Sequence, residues 1–118
     1  MVKKKRISTR IKGRNAELMF KKIAEEAGWQ VTLVQPPKKY NLQNDFCGGL
    51  FDAICSKNGY WKFVQIKCNR MIGKKERDKY IKWGDEYGNR FISVEVWVKL
   101  DNKPKNERWM PHLLWWRD

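Results

Sequence analysis

The stretch Leu50–Cys68, LFDAICSKNGYWKFVQIKC, decides the fold. Two apolar runs, Leu50 to Ser56 and Tyr60 to Cys68, flank Asn58-Gly59. Both turn positions tolerate positive φ, which makes this pair a strong two-residue hairpin signal. Side chains on a strand alternate faces, so Gln65 and Lys67 point the same way and Ile66 points opposite. The hairpin can hold Asp52, on the first strand, close to that pair. A carboxylate, a second oxygen ligand and a lysine two residues on are the parts of a metal-dependent site that cuts phosphodiesters.

Working outward, Gly48-Gly49 permits a bulge or a close backbone approach just before the hairpin. Upstream, Trp29 to Gln35 reads as a strand ended by Pro36-Pro37, and Lys38 to Asp45 as a polar loop. A helix is predicted between a cap at Asn15 and a stop at Gly28, with Ala16, Met19, Phe20, Ile23, Ala24 and Ala27 on one face. Downstream, Gly73 to Tyr87 reads as a charged amphipathic helix carrying Tyr80, Ile81, Trp83 and Tyr87, which Gly84 is expected to weaken or end early. Phe91 to Leu100 is the clearest strand: Ile92, Val94, Val96, Val98 and Leu100 share one face. Asp101 to Asn106 is a turn, Arg108 to His112 a short final strand, and Leu113 to Trp116 an apolar end. The order α-β-β-β-α-β predicts a single α/β domain, residues 15–118, with a central mixed sheet.

The 118 residues suffice for one core. Lys and Arg number 26 against 13 Asp and Glu, a formal charge of +13 that favours a polyanionic partner. Seven of those cations, Lys3, Lys4, Lys5, Arg6, Arg10, Lys12 and Arg14, fall in residues 1–14 without an acid, which reads as a phosphate-contacting arm. A solvated tail is the alternative. No apolar run is long enough to span a bilayer, and none follows the basic start as a signal peptide requires, so no membrane is expected. Three cysteines, Cys47, Cys55 and Cys68, argue against a disulfide framework and for a reducing, cytoplasmic setting, with nucleoid association following from the charge. With His112 the one histidine and no paired cysteine spacing, buried free thiols are expected rather than a zinc site.

Magnesium prefers oxygen ligands, one or two carboxylates with waters and substrate phosphate. Asp52 is the candidate central ligand and the Gln65 side-chain carbonyl a neutral one. The Ile66 backbone carbonyl lies in reach, and Lys67 would hold or polarise the water. Each residue has a plainer reading. Asp52 and Lys67 could form a structural ion pair, and Gln65 could face solvent. Glu17 could pair with Lys21 four residues on, or suit the dipole of a first helical turn. Of the seven tryptophans, Trp61 and Trp97 are candidates for stacking on unpaired bases. Trp115 and Trp116, beside Leu113 and Leu114, could form a dimer surface.

Glu17 in a first helix, then Asp52, then Gln65-Ile66-Lys67 across a hairpin resembles the PD-(D/E)xK nuclease superfamily. Within it the chain is most similar to the small archaeal-type Holliday junction resolvases, and Arg10-Ile11-Lys12-Gly13-Arg14-Asn15-Ala16-Glu17 resembles their basic approach to the first helix. The resemblance covers roughly residues 10–100 and implies a restriction-endonuclease-like fold. It implies Glu17, Asp52 and Gln65 around Mg²⁺ or Mn²⁺, Lys67 as the catalytic lysine, DNA as substrate, and a homodimer that cuts two strands. Two departures stand out. Gln65 replaces the usual Glu, as in some active members. The serine that the resolvases carry after the first strand is missing from Gln35 to Phe51, which leaves Asp45 as a further candidate ligand from that loop.

The sequence therefore predicts a metal-dependent DNA endonuclease, with branched DNA among its candidate substrates. A nuclease fold that binds nucleic acid without cutting is the alternative, and a cationic protein acting through its aromatic C-terminus is a third reading.

Overall fold

The computed structural model describes residues 9–34 and 50–117. Elements run in the order α1 (Thr9–Glu26), β1 (Gln30–Leu33), β2 (Ala53–Lys57), β3 (Tyr60–Cys68), α2 (Lys74–Tyr87), β4 (Ile92–Lys99), a 3₁₀ turn (Lys105–Glu107) and β5 (Trp109–Trp115). The strands form one mixed sheet in the order β1-β2-β3-β4-β5. Among the described residues only β3 and β4 pair in parallel; the other neighbours are antiparallel. A parallel pair needs a crossover, and α2 supplies it.

The hairpin forms as its sequence predicts. Asn58 and Gly59 take φ of 52° and 84°, and Lys57 pairs with Tyr60. On one sheet face Val64, Ile66, Ala53 and Cys55 pack against Ala16, Phe20 and Ala24 of α1. On the other, Val94, Val96 and Val98 pack with Phe51, Tyr80, Leu114 and Trp115. The β4 alternation thus places its valines under α2, as its period requires.

Several boundaries differ from expectation. Helix α1 starts at Thr9, not at an Asn15 cap, so Arg10, Lys12 and Arg14 lie on a helix rather than an arm. No proline interrupts these residues, and the early turns dock on the sheet, where the Lys12 carbonyl accepts the Cys68 thiol at 3.8 Å. Glu17 consequently sits well beyond the first turn, where the helix dipole no longer acts on it. Helix α2 runs through Gly84 instead of ending there. The absent side chain is what its neighbour needs: a Cβ on Gly84 or Gly88 would overlap the Trp115 ring. Strand β5 extends past His112 to Trp115. Trp115 is core, with its indole N–H donating to Asp85 at 2.9 Å, while Leu113 and Trp116 remain exposed. Trp97 is also more covered than expected, packed edge-on against Phe20. Lys3, Lys4, Lys5, Arg6, Asp45, Cys47 and Gly48-Gly49 lie outside the described residues, as does the Gln35-Pro36-Pro37 end assigned to β1.

Candidate active site

The end of β2 decides where the acids go. Strand β2 begins at Ala53, so Asp52 is the last residue before it rather than a member. Its backbone still bridges two neighbours: Asp52 N–H donates to the Val64 carbonyl at 2.9 Å, and its carbonyl accepts Val34 N–H at 2.8 Å. With the regular ladder ending here, the Ile66 N–H is left to the Asp52 side chain, which accepts it through Oδ2 at 3.0 Å. Asp52 is therefore held between the residues on either side of Gln65.

Burial pushes the Asp52 carboxyl above its ordinary range, opposed by the Ile66 N–H and the Lys67 ammonium. Glu17 reaches the same place from α1. Burial raises its carboxyl first, the negative charge of Asp52 raises it further, and Arg14 opposes both. Glu17 meets Arg14 at 3.8 Å rather than pairing with Lys21. Two acids that repel each other, partly desolvated, make a site that favours an added positive charge.

Gln65 completes the picture. Its side chain does not face solvent: Oε1 is buried and has no hydrogen-bond partner among the described residues. A buried carbonyl oxygen without a donor costs about 1–3 kcal/mol. Hard cations take such oxygens. Among the described residues no group of three or more His, Cys, Asp or Glu could hold a metal. The donor set consists of two carboxylates and one carboxamide, which fits the one or two carboxylates that magnesium uses. Cys55 and Cys68 are free thiols, and burial raises the Cys55 thiol to about 12 and leaves it inert.

The plainer reading, a structural ion pair of Lys67 with Asp52, is not met among the described residues. Lys67 pairs with Glu76 at 3.3 Å, from the first turn of α2. Glu76 was not singled out from sequence. The signal was present in topology: a crossover helix starts beside the C-terminal end of the strand it follows, so its first-turn acid meets a lysine near that end. Tyr80 is an apolar member of the α2 stripe. It is core, and its hydroxyl also donates to the Leu50 carbonyl at 2.8 Å, pinning the segment that leads into Asp52.

No protein-family model matches the chain. No curated protein matches it either. Among solved structures, it is similar to Hjc, a Holliday junction resolvase from the archaeal hyperthermophile Archaeoglobus fulgidus. The two share 13% identity over 86% of this chain and 77% of that one, with a TM-score of 0.61. That likeness shows the fold: restriction-endonuclease-like, with two helices on a mixed five-stranded sheet.

Proposed function

We propose that this chain is a divalent-metal-dependent endonuclease that hydrolyses phosphodiester bonds in DNA, of the kind that acts on four-way junctions. The observation that carries the reading is the buried Gln65 oxygen, without a partner among the described residues, next to the Ile66 N–H that holds Asp52, with the Asp52 and Glu17 carboxyls both pushed up. The shared fold with Hjc and the charge of +13 support the choice of substrate.

Asp52, Glu17 and the Gln65 carboxamide would hold Mg²⁺ or Mn²⁺. The metal supplies charge compensation for the phosphate and activation of water. The chain's own residues do the rest. Asp52 is oriented by the Ile66 N–H, so its carboxylate is aimed before any ligand arrives. Lys67 lies on the same strand face as Gln65, where its ammonium can hold the attacking water or a phosphate oxygen. Glu76 fixes the lysine from α2, and Arg14 fixes Glu17. Arg70, Lys74 and Lys75, exposed where β3 passes into α2, form a basic rim for the flanking phosphates. A junction presents two strands for cutting, so the reading includes a homodimer with one site per copy.

A second reading keeps the fold and removes the chemistry: a nucleic-acid-binding module. The neutral Gln65, where the resemblance has an acid, favours it. Cleavage of end-labelled single-stranded, duplex and four-way-junction DNA with Mg²⁺ or Mn²⁺ separates the two. The endonuclease reading expects metal-dependent cutting that disappears in Lys67→Ala while DNA binding stays within a few-fold. Tight binding with no cutting of any substrate would overturn it in favour of the binding module.

A further inference from the structure

At the opposite end of β3 the sheet carries a second feature that the cutting site does not use. Helix α1 runs against β3: its Lys12 carbonyl meets Cys68, and the Ala27 carbonyl, just past its C-terminal end, accepts the Lys57 ammonium at 2.7 Å. A groove of about 560 Å³ opens there, lined among others by Tyr60, Trp61, Phe91, Trp116, Arg90 and Arg117. The four rings are 54%, 47%, 42% and 59% exposed, in that order. Exposure of several large rings in one place marks a contact surface.

The charges around those rings choose the partner. Arg90 stacks over Phe91 at 4.8 Å, and Arg117 lies 5.9 Å from the Trp115 ring at the edge of the groove. Both arginines are exposed, with no ion pair among the described residues. The one acid in the lining, Glu95, is already taken by Lys62, Ser93 and the Trp97 indole. Flat apolar faces beside unpaired cations suit unstacked bases and the phosphates that link them.

We propose that this groove is a separate binding site for single-stranded nucleic acid. Bases stack on Tyr60, Trp61, Phe91 and Trp116, and Arg90 and Arg117 hold the backbone. Trp61 and Lys67 are six residues apart on β3, about 20 Å, so the groove is distinct from the candidate active site. The inference does not depend on cutting, and its test uses a chain that cannot cut.

The test is fluorescence anisotropy of a labelled oligothymidylate, with a duplex as control, on the full chain carrying Lys67→Ala. Trp61→Ala and Trp116→Ala are expected to weaken oligothymidylate binding ~5-fold or more each, with duplex affinity unchanged. Trp61→Phe should keep most of it. Joint Arg90→Ala and Arg117→Ala should flatten the salt dependence of single-strand binding. These residues are exposed, so the variants should keep the parent's circular dichroism. Unchanged oligothymidylate affinity would overturn the proposal, as would equal weakening on single strand and duplex. A change in sedimentation without a change in affinity would also overturn it, and would assign the groove to self-association.

Discussion

Two clusters of polar side chains lie on the same sheet, and they are treated oppositely. Lys62 and Glu95 are mostly buried, 3.3 Å apart. Glu95 also accepts the Trp97 indole N–H at 3.0 Å and the Ser93 hydroxyl at 3.2 Å, and Lys62 sits 4.3 Å over the Trp29 ring. Every charge there has a partner. A few residues along β3, the charge of Asp52 raises the Glu17 carboxyl, and the Gln65 oxygen has no donor among the described residues. The first cluster is finished by the fold. The second is left open among the described residues, and on the proposed reading a cation would complete it. Unsatisfied polar groups in a folded protein are costly, and they persist where a ligand completes them.

The largest effect expected from this contrast is on cutting. Asp52→Asn should keep the hydrogen bond from Ile66, because the amide oxygen still accepts, yet lower the cleavage rate by at least ~10²-fold. A rate within a few-fold of the parent would break the comparison. Stability should respond in the reverse sense. Lys62→Ala strands Glu95 in the sheet and should cost about 2 kcal/mol in urea unfolding. Metal-free Asp52→Asn should be as stable as the parent or more so.

Gln65→Glu sharpens the comparison further. A third negative charge should tighten Mn²⁺ binding on the order of tenfold, measured by calorimetry, while lowering metal-free stability through repulsion. The smallest effect is on pH dependence. Asp52 and Glu17 hold their protons above the ordinary values of 3.8 and 4.5 in the folded chain. In that window the folded state binds more protons than the unfolded one, so metal-free stability should fall as pH rises through it. Asp52→Asn should reduce that fall, and saturating Mn²⁺ should offset it at neutral pH.

Much of this was readable in the chain. Asn58-Gly59 placed the hairpin, and the β4 alternation placed its valines on one face, because both signals are local. Helix α1 was misjudged at its start because Asn15 is a good cap but also an acceptable interior residue. Gly84 misled for a different reason: its value lies in the room it leaves for Trp115, a partner thirty-one positions away that no local pattern shows. The positions of Glu17, Asp52, Gln65 and Lys67 suggested a site, but not its state. Spacing could not tell a solvent-facing glutamine from one with a buried, orphaned oxygen, nor show that Lys67 turns to Glu76. Those are facts of packing across three elements.

The most direct test is Mn²⁺ binding by calorimetry in the parent, Asp52→Asn and Lys62→Ala. The account predicts one site per chain, lost in Asp52→Asn and retained in Lys62→Ala. No binding in the parent, or equal binding in Asp52→Asn, would contradict it.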